Sequence, residues 1–197
     1  SLKFYEREEI KDVLAYISLL ANPQDEISFR RIVNKPTRGI GPKTQDAIVE
    51  NAFDGNQYKN LLDFSKEYSE NLTKKAKEGV ESFLSIMNSI SESLKTEKNL
   101  AEFIQKVSVI TGLEEYYKSS DEIEGTSRVE NLQELANSAV PFECSIEGLT
   151  EFLDSINLDR SLELSEGEVS NDAVTLITLH NTKGLEYNKV VITGLED

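Results

Sequence analysis

Apolar residues recur along most of this chain at helical spacing. Ile10, Val13, Leu14, Ile17 and Leu20 form one stripe, Phe83, Met87, Ile90 and Leu94 a second, and Leu100, Phe103, Ile104 and Val107 a third. Val129, Leu132, Leu135, Ala136 and Ala139 make a fourth, and Ile146, Leu149, Phe152, Leu153 and Ile156 a fifth. Between them stand breakers: Asn22-Pro23, Pro36, Gly39, Gly41-Pro42, Asp54-Gly55, Gly112, Gly125 and Pro141. Asp25, Asn99 and Ser145 stand where helices want an N-cap. The pattern predicts a mainly α body of five or more amphipathic helices around one core. Residues 157–172 are acidic and poor in apolar side chains, which predicts a solvated connector.

The period changes in the tail. Val174, Leu176 and Leu179 alternate with Thr175 and Thr178, then comes a polar loop with His180 and Lys183-Gly184, then the β-branched run Val190-Val-Ile-Thr. Strand, polar loop and strand in an α/β sheet would place the loop at the ligand-binding carboxyl edge. Two strands lack the sheet they need, so the chain reads as a piece of a larger machine. The short β-containing segment is expected to stay poorly ordered, to pair with itself or to pair with a neighbour.

Charge narrows the function classes. A net charge of −15 predicts solubility and argues against a membrane-surface role or indiscriminate nucleic-acid binding by the whole chain. No apolar run is long enough to span a membrane, and no signal peptide is evident. Cys144 is the only cysteine and His180 the only histidine, which excludes an internal disulfide and a zinc site of the usual kind. A reducing, cytoplasmic compartment is expected.

Against this acidity, residues 27–45 hold Arg30, Arg31, Lys35, Arg38 and Lys43 and no acid. Within them, Thr37-Arg-Gly-Ile-Gly-Pro-Lys-Thr44 places two glycines around an apolar residue and a proline at a first helical position. Such a turn can leave backbone N–H groups free at a helix N-terminus, where phosphate binds. A helix–turn–helix joint with a solvated basic face is the plainer reading. No aromatic cluster accompanies the turn, so the chemistry favours a sequence-independent grip on a duplex backbone.

Four blocks in order resemble the UvrD/Rep-type superfamily 1 DNA helicases. They are Phe4-Tyr-Glu-Arg-Glu-Glu-Ile-Lys-Asp12 with Leu19-Leu-Ala-Asn-Pro23, then Phe29-Arg-Arg-Ile-Val-Asn-Lys-Pro-Thr-Arg-Gly-Ile-Gly41. Arg128-Val-Glu-Asn-Leu-Gln-Glu-Leu135 and Thr175-Leu-Ile-Thr-Leu-His-Asn-Thr-Lys-Gly-Leu-Glu186 complete the set. The resemblance implies that residues 1–20 and 173–197 are edges of the RecA-like motor domain 2A, and that 21–172 form the helical subdomain 2B. It makes the tail a motif V, with Glu186 and Gly184 at ATP and with His180 and Thr178 at single-stranded DNA. Thr37, Arg38, Gly39, Ile40, Gly41, Lys43 and Thr44 would contact duplex DNA.

The implied parent is an ATP- and Mg²⁺-dependent 3′–5′ helicase acting in repair or replication, with DNA and possible repair or replication proteins as partners. This stretch has no G-x-x-x-x-G-K-S/T loop and would be inactive alone. Alternatives are a subunit of a helicase–nuclease, or a non-catalytic duplex-binding or protein-interaction module. Arg7, Glu9 and Asp12 read as structural, with Glu8 and Asp12 pairing with Lys11 or Arg7 on a solvated helix face. Arg128, Glu130 and Asn131 read as ordering the helical body or the contact between 2B and 2A.

Overall fold

A computed structural model describes residues 2–55, 57–119, 122–167, 177 and 189–192. The architecture is mainly α. Among the described residues the helices are α1 (Leu2–Tyr5), α2 (Glu8–Ala21), α3 (Glu26–Ile32), α4 (Pro42–Ala52), α5 (Leu61–Tyr68) and α6 (Lys74–Thr96). They continue with α7 (Leu100–Ile110), α8 (Leu113–Lys118), α9 (Glu122–Ser138) and α10 (Ile146–Gly167). A two-residue antiparallel hairpin, β1 (Phe53–Asp54) with β2 (Gln57–Tyr58), turns through Gly55 at φ +67°. The Asp54-Gly55 breaker is therefore a hairpin turn.

The expected caps form. The Asp25 carboxylate accepts from the Ser28 amide at 3.0 Å, Asn99 from the Glu102 amide at 2.8 Å, and Ser145 Oγ from the Gly148 amide at 3.0 Å. Each side chain satisfies one of the N–H groups that a helix start leaves without a partner.

Helix α2 is the axis of the core. It packs against α3, α6, α7, α8, α9 and α10, and Ile10, Val13, Tyr16, Ile17 and Leu19 are fully buried. Phe83 of α6 closes on it, with ring centroids 6.3 Å from Tyr16 and 5.9 Å from Phe29. Residues 8–20, which the resemblance assigns to the edge of a motor domain, thus lie at the centre of the helical body, packed directly against α3 and α6.

One expectation changes. Residues 157–167, expected as a solvated connector without regular structure, are helical and form the second half of α10, which runs unbroken to Gly167. The packed first half, with Leu149, Phe152 and Ile156 buried, supplies the nucleus. Extension through Leu, Glu and Arg then adds one hydrogen bond per residue without a new nucleation cost. Most of the tail, with residues 168–172, lies outside the described residues. Ile177, Val190, Val191 and Ile192 belong to no strand and are exposed. Strands need partners to be stable.

Candidate nucleic-acid interface

The turn between α3 and α4 is built from its loop residues outward. After the Lys35–Pro36 cis peptide, the Asn34 side chain reaches across the loop, and its Oδ1 accepts from the Arg38 amide at 2.7 Å and the Ile40 amide at 3.1 Å. An Asn that bonds nearby backbone holds a loop that has no ladder of its own. Gly39 sits at φ +80°, in the left-handed region open to glycine. Ile40 is fully buried and anchors the turn, and its carbonyl accepts from Gln45 Nε2 at 3.0 Å.

Gly41 is then the N-cap of α4, with Pro42 in the first turn, and its carbonyl receives the Thr44 and Gln45 amides at 3.0 Å each. The amides of Gly39, Gly41 and Lys43 have no protein acceptor among the described residues. A Cβ at Gly41 would meet nothing within 4 Å, so the mouth of α4 is open.

Helix α6 backs the turn. At Gly79 a Cβ would lie 2.1 Å from the Arg38 carbonyl oxygen and 3.1 Å from Ile40 Cγ1, so only glycine permits this approach. Lys75, one turn earlier, lays its stem 3.1 Å from the position of a Gly39 Cβ.

Arg38 faces inward. Its Nη1 donates to the Ile32 carbonyl at 3.2 Å and its Nη2 to the Tyr16 hydroxyl at 2.8 Å, with the guanidinium 5.9 Å from the Phe83 ring centroid. Tyr16 in turn donates to the Lys35 carbonyl at 2.8 Å. Burial pushes the Tyr16 phenol up to about 12, so it remains a neutral donor. Arg38 therefore caps the C-terminal end of α3, where the helix dipole favours a cation.

Of the residues expected at duplex DNA, Thr37 and Lys43 are exposed and Thr44 is half-buried. Gly39, Ile40 and Gly41 shape the turn, and Arg38 is turned away from solvent. Thr178, His180, Gly184 and Glu186 lie outside the described residues.

Over residues 1–197 the chain matches the family described as UvrD-like helicase C-terminal domain. It belongs to that family. It is 34% identical over 205 residues to the ATP-dependent DNA helicase PcrA of Bacillus subtilis (strain 168), a match covering 99% of this chain and 27% of that protein. It is 33% identical over 207 residues to DNA helicase II of Escherichia coli (strain K12), covering 100% of this chain and 28% of that protein. The chain thus spans about a quarter of the length of these curated relatives.

In this UvrD-like C-terminal domain the acid-free basic segment is not a free island. Arg30 lies between Glu26 at 2.8 Å and Asp46 at 2.6 Å, and those two hydrogen bonds raise its pKa. Arg31 Nε is 2.7 Å from Asp12, and Lys35 Nζ is 2.7 Å from Asp12 and also pairs with Glu8. For Lys35, burial works against the charge, but hydrogen bonds to Asp12 and Glu8 outweigh it and the pKa rises. Two of the four neutralising acids, Glu8 and Asp12, come from α2, about twenty residues upstream, where a window along the sequence does not count them.

Asp12 is accordingly not on a solvated face. It is fully buried and also accepts from the Tyr117 hydroxyl of α8. Burial, reinforced by the hydrogen bond to Asp12, holds the Tyr117 phenol far above its ordinary range. Next to it, Asn131 of α9 donates to Glu9 at 2.7 Å and accepts from Arg7, while Arg128 reaches Glu8 at 3.4 Å. Arg128 and Asn131 order the helical body, as expected, whereas Glu130 is exposed.

Sequence reasoning passed over Asn34, Tyr16, Gly79 and the lysines that open α6. Gly79 left a signal, since an isolated glycine inside a helical stripe marks close packing. Among the described residues no group of acids, histidine and cysteine is placed to hold a metal ion, and no helix is long and apolar enough to cross a membrane.

Proposed function

We propose that this chain is the duplex-holding helical part of a UvrD/Rep-type, ATP-dependent 3′–5′ DNA helicase that unwinds DNA in repair or replication. One observation carries the reading: the Thr37–Thr44 turn presents the open mouth of α4, with free amides at Gly39, Gly41 and Lys43 and a buried Ile40 that makes the presentation rigid. Amides at a helix mouth bind phosphate without reading bases, which suits a motor that must grip any sequence. The names of the relatives, both DNA helicases, support the same reading.

In this account Thr37, Lys43 and Thr44 meet duplex phosphates, and Gly39, Ile40 and Gly41 shape the turn that presents them. His180 and Thr178 face the single strand, and Gly184 and Glu186 face the nucleotide. ATP hydrolysis, with Mg²⁺ as its cofactor, would supply the energy of stepping in the whole protein. The residues assigned to the nucleotide lie outside the described residues.

The test is fluorescence anisotropy of the chain with a labelled duplex bearing a 3′ single-stranded tail, at low and moderate salt. Binding should be weak in an acidic chain, should decline with salt, and should fall further in Lys43→Ala. Absence of binding at low salt would overturn the reading in favour of a protein-interaction module.

A further inference from the structure

The segment from which DNA contact is expected turns out to be largely committed within the protein. Arg30, Arg31 and Lys35 sit on Glu26, Asp46, Asp12 and Glu8, and Arg38 on carbonyls and Tyr16. Of those five cations Arg38 and Lys43 have no acidic partner among the described residues, and only Lys43 is exposed. One lysine is a weak basis for holding a polyanion with a chain of net charge −15.

The missing charge stands on α6. Lys74 is 91% exposed, with Glu78 only at 4.0 Å, and Lys75 is exposed and crosses Gly39 without an ion pair among the described residues. The first turns of α4 and α6 carry no acid. Helix dipoles favour acids in a first turn and disfavour lysines there. Two neighbouring helices depart from that rule at one place, where Gly79 brings α6 against the turn that opens α4. An external anion is the counter-charge that would reconcile both.

We propose that Lys74 and Lys75 form, with Lys43, a two-helix clamp on the phosphates of duplex DNA, and that Arg38 positions the turn without touching the nucleic acid. This rests on the duplex-holding reading above and assigns its ligands. Lysines suit the task because they meet phosphates as flexible point charges, whereas the planar Arg38 fork is fixed by its internal acceptors.

The salt dependence of duplex binding separates ligands from positioning residues. Each lost phosphate contact lowers the slope of log K against log salt by roughly 0.9, whereas a folding defect does not remove counterions from the balance. Binding of the wild-type chain is compared by anisotropy with Lys74→Gln/Lys75→Gln, Arg38→Ala, and a charge-matched control, Lys95→Gln/Lys98→Gln. Lys95 lies about 30 Å along α6 from Lys74, and Lys98 just past the end of the helix.

Lys74→Gln/Lys75→Gln should reduce the slope by roughly 1.8 at unchanged Tm, and the control should not. Arg38→Ala should weaken binding and lower Tm with the slope retained. If the wild type binds and the Lys74/Lys75 slope equals its own, or if Arg38→Ala lowers the slope, the clamp is refuted and the duplex-holding reading stands. If the wild type does not bind at low salt, both fail together.

Discussion

Replacing Gly79 by alanine should destabilise the protein, although the same change in an open helix stabilises it. In α6 the new methyl would lie 2.1 Å from the Arg38 carbonyl oxygen, and Cβ atoms essentially never approach other atoms below 3.0 Å. The helix and the turn must therefore separate by roughly 1 Å. Neither side yields easily: the obstacle is backbone, and the turn is tied down by Asn34, by the Arg38 contacts and by buried Ile40. Overpacking of this kind costs about 1–3 kcal/mol. The helix-propensity gain of alanine over glycine returns about 1 kcal/mol.

With the clash at its upper end, the net loss is about 2 kcal/mol, or roughly 4–8 °C in Tm for a chain of this size. Thermal unfolding followed by circular dichroism reads it directly. Gly41→Ala is the reference, because its Cβ meets nothing within 4 Å and φ there is −73°, so its cost should stay below about 1 kcal/mol. A Gly79→Ala protein that melts above wild type would refute the claim that α6 and the turn are in backbone contact.

Asp12→Ala should cost about 3 kcal/mol in chemical denaturation. It strands Arg31 and the Tyr117 hydroxyl and leaves Lys35 with Glu8 alone, and partial exposure of the two cations keeps the loss at the lower end for a broken buried pair; a loss under about 1 kcal/mol would mean the cluster is not structural. Tyr16→Phe should cost about 1–3 kcal/mol, since the Lys35 carbonyl and the Arg38 guanidinium both lose their partner, and equal stability of the variant would contradict the cap assigned to Arg38. Acid should weaken the α2–α3 lock. The hydrogen bond from Lys35 holds the Glu8 carboxyl below its ordinary 4.5, so its contribution is present above that pH and is lost as pH falls through the lower folded value. Glu8→Gln should therefore flatten the acid limb of a Tm–pH profile, and a limb parallel to wild type below pH 4.5 would exclude Glu8 as its source. At the alkaline end Tyr16, raised to about 12 from 10, contributes below pH 10 and loses that contribution between the two values, a decline that Tyr16→Phe should reduce.

Features set by near neighbours along the chain were legible before any fold was known. The stripes from Ile10 to Ile156 became helices because a repeat near 3.6 can bury one face only as a helix, and Asp25, Asn99 and Ser145 capped them because a cap acts within three residues. Pro42 opens α4, and Gly39 takes a positive φ, for equally local reasons. Residues 157–167 misled because a polar composition does not preclude helicity: a helix already nucleated by Phe152 and Ile156 continues through them.

Which charges face outward was settled by packing alone. Along the chain the basic segment has no acid within it, yet folding brings Asp12 and Glu8 of α2 against Arg31 and Lys35, and turns Arg38 onto Tyr16. Electrostatic partnership depends on distance in space, which sequence separation does not encode. For the same reason the lysines that flank the turn come from α6, more than thirty residues downstream, held there by the missing side chain of Gly79.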